Sequence, residues 1–249
     1  MSDTGLPEWT LRDDEIAVWT IATERWSEPE CAESLSADEH ARAELIRLPA
    51  RRAEFIAAHA ALRTILGGYQ DAPPESLLFT TTCAWCGDPK HGKPRLQEAG
   101  GLAFNLTRAG RVALVAVARD VEVGVDAEPL DRVVDWRTIA RRALSTAEQS
   151  IVESQQPAGR DALAARLWCR KEAVAKATGL GLALELKGWT AEQSSDAPWF
   201  AAALTELPEP VLVCDLDLDL DDVNGARAAV AVAGASKPPA VTVREARPD

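Results

Sequence analysis

The sequence has no long apolar segment and no excess of positive charge. No apolar run reaches the length of about 18 residues that a membrane-spanning helix needs. The N-terminal stretch MSDTGLPEWTLRDDE is too acidic for a signal or transit peptide, so a cytoplasmic protein is expected. The formal net charge of −12 argues against sequence-independent binding to nucleic acid, because the phosphate backbone repels an acidic protein. We therefore expect neither a membrane nor a nucleic acid among its partners.

Cysteine is also scarce. Five cysteines, an odd number in 249 residues, do not form a disulfide framework, and reduced thiols are expected. In CAWCGDPKHG, Cys83, Cys86 and His91 have a spacing similar to part of a zinc knuckle. No second close pair follows within the usual distance, so the sequence leaves open whether this cluster binds zinc.

Two parts of the chain have a similar outline. Residues 101–118 and 215–234 each have the pattern of a β-hairpin, and each follows a helical stretch, residues 54–69 and 162–179. Gly67 and Gly68 are expected to end the first helix, and Gly179 the second. The sequence therefore predicts an α+β fold of two similar halves, residues 1–119 and 120–249. Each half would pack a helix on a small antiparallel sheet.

Alternating Asp and Leu from Asp215 to Asp222 predict a strand with one acidic, solvated face. A calcium loop is the alternative interpretation. The stretch lacks the Gly and the terminal Glu of that motif, which favours the strand.

A second acidic strand is predicted in RDVEVGVDAEPL, residues 119–130. Its period of two places Glu122, Gly124, Asp126 and Glu128 on one face. Two carboxylates beside a Gly that leaves room for a ligand suit a hard cation. The alternative is an exposed strand edge that happens to be acidic.

The stretch WCRKEAVAKATGLGL, residues 168–182, predicts a helix with Trp168, Glu172 and Lys176 on one stripe. A solvated ion pair is the simplest interpretation of Glu172 and Lys176. Together with Asp126 and Glu128, however, Glu172 would complete a cluster of three carboxylates, which either raises their pKa values or holds a metal. Magnesium fits best, because it prefers a few carboxylates together with substrate phosphates and water, and this implies a diphosphate substrate.

The motifs GVDAE, residues 124–128, and WCRKEAVAKATGLGL resemble the two defining motifs of the 4′-phosphopantetheinyl transferases. The resemblance is to the large, pseudo-dimeric type that activates peptide and polyketide synthases. GKPRL, FNLTRAG and LSTAEQ, in residues 92–96, 104–110 and 144–149, are similar to further motifs of that family in the expected order. The similarity extends from about residue 51 to residue 234.

The resemblance implies a magnesium-dependent transfer of the phosphopantetheine arm from coenzyme A to a serine of an acyl or peptidyl carrier protein. Adenosine 3′,5′-bisphosphate would be released. By position, Asp126, Glu128 and Glu172 would hold the metal, and Glu172, Lys176 and Asp126 would be catalytic. The resemblance also implies that a pseudo-two-fold axis relates the two halves and that the active site lies between them, so a monomer is expected. Arg137, Arg141 and Arg142 form a candidate surface for carrier docking, or simply a solvated helix face.

The residues implied in coenzyme A binding depart from the family pattern at two places. Thr107 and Arg108 stand where Ser-His is common, and His59 stands where an Arg is frequent. Arg108 would then contact a phosphate that the missing residues otherwise bind. The alternatives are a catalytically altered member that only binds carrier proteins, or a magnesium-dependent hydrolase of a diphosphate. The implied coenzyme A contacts are Arg52, His59, Lys93, Pro94, Thr107, Arg108 and Lys176.

Overall fold

The computed structural model describes residues 9–248 except 27, 84, 90, 131–134, 192–196, 203, 205–206, 208–209 and 219–225. Its strands are β1 (Glu15–Ala22), β2 (Phe79–Thr82), β3 (Lys93–Leu96), β4 (Leu102–Ala109), β5 (Val112–Arg119), β6 (Glu122–Glu128), β7 (Trp199–Ala202), β8 (Val211–Leu216), β9 (Arg227–Ala233) and β10 (Ala240–Glu245). Its helices are α1 (Glu28–Ala32), α2 (Ala37–Leu45), α3 (Pro49–Gln70), α4 (Trp136–Ala143), α5 (Thr146–Ser154) and α6 (Pro157–Thr178). Within the described residues, no helix has both the length and the apolar character needed to cross a membrane.

The fold is α+β, as predicted, with two four-stranded sheets and a separate hairpin of β2 and β3. The first sheet has the strand order β10-β1-β5-β4, and the predicted hairpin in residues 101–118 forms β4 and β5. Alternating apolar residues of this sheet pack against α3. Trp19, Ile65 and Leu66 are fully or almost fully buried in the resulting core.

The second sheet has the strand order β6-β9-β8-β7 and packs against α6. Its central hairpin of β8 and β9 confirms the second predicted hairpin, but the strand predicted as far as Asp222 ends at Leu216. Leu216 pairs with Ala228 close to the start of β9, so the partner strand has almost ended where Asp217 begins. The rest of that prediction, residues 219–225, lies outside the described residues.

The two sheets meet at a shared apolar layer. It includes Val18, Leu114, Val125 and Val230, all completely buried. In each sheet the first strand of the half lies next to the second strand of its hairpin, so the order strand, helix, hairpin occurs twice along the chain. The predicted pseudo-two-fold relation itself stays a prediction.

Strand β10 belongs in sequence to the second half but pairs in parallel with β1 of the first sheet. Six residue pairs, from Glu15 with Ala240 to Thr20 with Glu245, form this ladder. Without β10, β1 would be the edge of its sheet with unpaired backbone groups. The chain therefore passes between its two sheets a second time.

The end of α3 differs from the prediction. Gly67 and Gly68 lie inside the helix, which ends at Asp71, a residue in the left-handed conformation with φ of 50°. A Cβ on Gly68 would lie 2.3 Å from the ring of Trp9. The glycine thus allows Trp9 to pack directly on the helix, and the prediction that it ends the helix is wrong. At α6, by contrast, Gly179 has φ of 70° and ends the helix as predicted.

Candidate active site

Lys176 and Asp126 form the centre of the candidate site. Lys176 Nζ donates to Asp126 Oδ1 at 2.6 Å, to Thr107 Oγ1 at 3.1 Å and to the carbonyl of Val125 at 3.1 Å. Thr107 in turn donates to Asp126 Oδ1 at 3.1 Å. Strand β4 of the first sheet, strand β6 of the second and helix α6 therefore each contribute one side chain to a single hydrogen-bonded group.

Gly124 determines how closely α6 approaches β6. A Cβ at this position would lie 2.1 Å from the carbonyl oxygen of Ala173 and 2.3 Å from the nitrogen of Ala177. The sequence interpretation that Gly124 leaves room for a ligand is therefore wrong, since the helix backbone occupies that space. This close approach places Lys176 within reach of Asp126.

Glu128 and Glu172 complete the carboxylate cluster, which we define as Asp126, Glu128 and Glu172. The indole Nε1 of Trp168 donates to Glu128 Oε1 at 3.1 Å, so the predicted stripe of Trp168, Glu172 and Lys176 is oriented toward β6. Burial raises the pKa of Glu128, and the charge of Asp126 adds to the effect. Burial, followed by the charge of Asp126, likewise raises the pKa of Glu172. The cluster thus carries an unfavourable concentration of negative charge.

The same cluster has the chemistry that a hard cation needs. Asp126 Oδ2 is buried without a hydrogen-bond partner in the described structure. A buried carboxylate oxygen of this kind is costly unless it is paired, and a cation would pair it. The oxygens of the three carboxylates do not all lie within 4.8 Å of one another. Among the described residues, only Cys83, Cys86 and His91 form a group of three potential ligands that meets this distance.

A cleft of about 470 Å³ opens beside Lys176, between the residues around β3 and the end of α6. Pro94, Asn105, Lys176 and Leu180 are among its lining residues. Its volume is in the range typical of sites for small molecules. The first and second halves both contribute to its walls.

Lys93 lies at the wall of this cleft, but its ammonium group is directed into the protein. It donates to Glu122 Oε2 at 2.8 Å, to the carbonyl of Val123 at 2.7 Å and to the carbonyl of Ala177 at 3.5 Å. These acceptors match the three donors of an ammonium group. Burial lowers the pKa of Lys93, whereas Glu122 opposes that effect. In this arrangement Lys93 joins β3 to β6 and α6, and its predicted contact with coenzyme A stays a prediction.

The remaining predicted contacts lie on the first half. Thr107 and Arg108 are neighbours on β4 but face opposite ways, so Arg108 is directed toward α3, with its guanidinium 5.3 Å from the centre of the Phe55 ring. His59 stacks on the same ring at 3.9 Å and its Nδ1 lies 2.9 Å from the Phe55 carbonyl. Burial lowers the pKa of His59, which favours the neutral imidazole. The two residues that depart from the family pattern, Arg108 and His59, therefore both contact the ring of Phe55.

Arg52 is occupied elsewhere. Its guanidinium donates to the carbonyl of Ala43 at 3.1 Å and to that of Glu44 at 3.3 Å, near the end of α2. Cationic groups at the C-terminal end of a helix stabilise the unpaired carbonyls there. Its proposed contact with coenzyme A stays a prediction.

Two supporting features were missed by the sequence interpretation. Asn105 Oδ1 accepts from the backbone N–H of Val125 at 2.9 Å and so joins β4 to β6 next to Asp126. Glu148 and Lys171 form an ion pair at 2.8 Å, and neither side chain has any exposed area. Lys171 immediately precedes Glu172 on α6. The capping box of Ser145 and Glu148 could have indicated the helix start, but its sequence gives no sign of the buried lysine.

Arg142 is the member of the predicted arginine surface that reaches the carboxylate cluster. It lines a cavity of about 100 Å³ with Glu128 and one of about 390 Å³ with Glu172. Arg137 pairs with Asp135, and Arg141 donates to Thr138. A positive side chain thus borders the acidic cluster on the side away from β4.

An α+β fold that places a lysine on the wall of a cleft, with a cluster of three carboxylates beside that lysine, has the composition of a phosphoryl-transfer site. Residues 122–231 match the family model described as the 4′-phosphopantetheinyl transferase superfamily. These residues contain the carboxylate cluster and Lys176. The matched region and the chemistry of the site therefore coincide.

Three relatives carry the same designation. The chain is 34% identical over 182 residues to the 4′-phosphopantetheinyl transferase HetI of Nostoc sp., covering 71% of this chain and 74% of the relative. It is 29% identical over 180 residues to a 4′-phosphopantetheinyl transferase of Bacillus pumilus, covering 72% and 71%. It is 32% identical over 90 residues to the 4′-phosphopantetheinyl transferase AcpT of Salmonella typhimurium, covering 36% and 47%. The chain belongs to the 4′-phosphopantetheinyl transferase superfamily, and its class is that of a transferase enzyme.

Proposed function

We propose that the protein transfers the 4′-phosphopantetheine arm of coenzyme A to a serine hydroxyl of an acyl or peptidyl carrier protein. The reaction depends on magnesium and releases adenosine 3′,5′-bisphosphate. The observation that carries the proposal is the Lys176–Asp126 ion pair, whose second carboxylate oxygen is buried without a hydrogen bond beside the other two carboxylates. The names of the relatives support the identity of the transferred group.

Asp126, Glu128 and Glu172 would hold the magnesium ion. When bound, the ion supplies positive charge that neutralises the diphosphate and the charge that develops during phosphoryl transfer. Burial and the mutual repulsion of the carboxylates raise the pKa values of Glu128 and Glu172. The same two effects favour the binding of any positive partner, whether a proton or a metal ion.

Coenzyme A would bind in the cleft beside Lys176. Lys176 provides a cation at the junction of the cleft and the carboxylate cluster, where the diphosphate would lie. Arg108, which is exposed and stacked on Phe55, is suited to a more distant phosphate of the nucleotide. His59 would then act mainly by packing on Phe55, since burial favours its neutral form.

Glu172 is the residue best suited to accept the serine proton. The serine oxygen would attack the phosphorus that carries the pantetheine arm, and the bond from that phosphorus to the oxygen of adenosine 3′,5′-bisphosphate would break. The serine proton would pass to Glu172, a carboxylate that lines an open cavity together with Arg142. No hydrogen-bond donor among the described residues contacts its carboxylate in this structure. Lys176 would stabilise charge on the transferring or leaving group.

The carrier protein would dock on the side of the cluster that Arg142 borders. Carrier domains are usually acidic, and this chain has a net charge of −12, so docking requires a local positive or apolar surface. Arg142 lines the cavity that contains Glu172, which places a positive group where the serine would approach its base. The enzyme would act in the cytoplasm as a monomer.

The test is intact mass spectrometry of an apo carrier protein after incubation with the enzyme, coenzyme A and magnesium. A mass increase of one phosphopantetheine arm, lost when magnesium is omitted or in Glu172→Gln, is expected. Glu153→Gln, an exposed glutamate on α5, is the matched control and should retain the reaction. Free phosphopantetheine without a modified serine would indicate a hydrolase instead. Carrier binding with neither product would indicate a non-catalytic binding module.

A further inference from the structure

We infer that Cys83, Cys86 and His91 form a zinc site, separate from the carboxylate cluster, in the loop between β2 and β3. The ligand atoms of these three residues lie within 4.8 Å of one another, and Cys86 Sγ is 3.4 Å from His91 Nε2. A site of two thiolates and an imidazole binds zinc in preference to magnesium, which favours oxygen ligands. This inference requires nothing from the proposed transfer reaction.

The backbone of the loop has the form of a turn around a metal-binding thiolate. The backbone N–H groups of Cys86 and Trp85 are directed at the Cys83 sulfur. The N–H of Gly87 donates to the carbonyl of Cys83 at 2.9 Å, and Gly87 has φ of 72°, which glycine adopts without strain. The first two donors favour a charged sulfur, which is the form that coordinates zinc, and the Gly87 bond closes the turn.

The two ends of the loop are also held together without the ion. The N–H of Cys83 donates to the carbonyl of Asp88 at 3.0 Å, and Thr81 Oγ1 donates to the carbonyl of Pro89 at 2.7 Å. Gly92 follows with φ of 127°, and a Cβ there would lie 2.5 Å from the backbone of Thr82. The strands therefore approach closely enough that a metal between the cysteines and His91 needs little rearrangement.

Three protein ligands leave one position of a tetrahedral zinc ion to fill. A carboxylate near the cluster is that of Asp88, whose Oδ2 lies 3.8 Å from His91 Nε2. We assign the fourth position to Asp88 or to water. Loss of Asp88 should weaken zinc binding less than loss of a cysteine.

The site has a structural consequence for the cleft. Its three ligands line the same cleft as Lys176, and His91 is two residues before Lys93. Because Lys93 is bonded to both β6 and α6, a zinc ion would fix the start of β3 relative to the second half. Zinc would therefore stabilise the shape of this wall without taking part in the chemistry.

The experiment measures the zinc content of the full chain, prepared without a metal-binding tag or a chelator, by inductively coupled plasma mass spectrometry. One zinc ion per chain is expected. Cys86→Ser and His91→Ala should lower zinc affinity at least about tenfold, measured by competition with a chromogenic chelator. Cys214→Ser and His40→Ala are matched controls that lie outside the cluster and should retain full zinc content.

A second measurement keeps the inference falsifiable if a variant folds poorly. Cobalt added to the zinc-free wild-type chain should produce thiolate-to-cobalt charge-transfer bands and the intense visible bands of a tetrahedral ion, and zinc should displace them. A wild-type chain that binds neither ion, or a Cys83–Cys86 disulfide under reducing conditions, would overturn the inference. Equal zinc content in the cluster variants and the controls would also overturn it. None of these results depends on whether the chain transfers phosphopantetheine.

Discussion

Lys176 and Asp126 share one short ion pair across the boundary between α6 and β6, while the second oxygen of Asp126 is buried and has no hydrogen-bond partner among the described residues. Lys176 therefore pairs with Oδ1 of Asp126 and leaves Oδ2 for a different cation. In the proposed reaction, Lys176 and the magnesium ion would contact different oxygens of Asp126. This division separates the effects expected from changing each residue.

Lys176→Ala should lower kcat for carrier modification by about 100-fold, because it removes a fixed positive charge near the transferring phosphate. The substitution also leaves the charge of Asp126, whose side chain is 7% exposed, without this cation, so a loss of stability is expected as well. Steady-state kinetics with an apo carrier protein provide the measurement. Lys237→Ala, which changes an exposed lysine paired with Asp14, should leave kcat unchanged. Equal loss in both variants would contradict a catalytic role for Lys176.

The response of stability to magnesium should depend on pH. A carboxyl group whose pKa is raised by folding binds its proton more tightly in the folded state, so Glu128 and Glu172 contribute most to the stability of the metal-free fold below the ordinary value of 4.5. That contribution is lost as the pH rises through 4.5 toward the raised pKa values of Glu128 and Glu172. Magnesium opposes the repulsion only when the carboxylates are ionised.

We therefore expect magnesium to raise Tm more at about pH 8 than at about pH 5, where protons compete for the same oxygens. Differential scanning calorimetry with and without magnesium measures the difference. Glu172→Gln should reduce it, whereas Glu153→Gln should not. A magnesium effect that is the same at both pH values would argue against the carboxylate cluster as the binding site.

Gly124→Ala should destabilise the protein by about 3 kcal/mol, because the new methyl group would overlap the backbone of α6 and well-packed elements cannot move apart cheaply. Chemical denaturation measures the change. Gly159→Ala is the matched control, since nothing lies within 4 Å of its Cβ position. Its α6 location should make that substitution neutral or slightly stabilising. A tolerated Gly124→Ala would show that α6 does not need this close approach.

Lys171→Met should cost about 3 to 5 kcal/mol of stability, because it leaves the charge of Glu148 buried without its partner. Burial lowers the pKa of Lys171 and Glu148 opposes that shift, so the pair is maintained by mutual compensation. Urea unfolding at neutral pH measures the loss. Lys237→Met removes an exposed ion pair and should change stability by less than about 1 kcal/mol. Similar effects of the two substitutions would refute the importance of burial.

Arg108→Ala should raise KM for coenzyme A about tenfold while leaving kcat close to the wild-type value, because Arg108 lies on the face of β4 away from Asp126 and Lys176. Varying coenzyme A at saturating carrier protein separates the two constants. Arg25→Ala, on an exposed ion pair with Glu245, is the control. A fall in kcat without a change in KM would place Arg108 in the chemical step.

Sequence patterns predicted the elements that carry the site. The alternation in β6 and the four-residue spacing in α6 depend on local backbone geometry, so Asp126, Glu172 and Lys176 could each be placed on the correct face. The capped end at Gly179 was predicted for the same reason. These are properties of single elements and need no knowledge of the neighbours.

The errors arise where two elements meet. Gly124 and Gly68 are small because a helix and an indole ring, respectively, occupy the adjacent space, and a sequence pattern contains no information about such neighbours. Lys93 was expected to bind phosphate; the structure surrounds its ammonium group with Glu122 and two backbone carbonyls, and the phosphate contact stays a prediction. A basic residue in a motif can thus serve either a ligand or the fold, and only tertiary contacts distinguish the two.

The parallel pairing of β10 with β1 also limits how the protein can move. The backbone passes from one sheet to the other between β5 and β6 and returns after β9 to form β10. Two bodies joined at a single point can swing open like a hinge, whereas a second attachment removes most of that rotation. We therefore expect coenzyme A to diffuse into a cleft whose walls already have their working separation, with adjustment confined to side chains and loops.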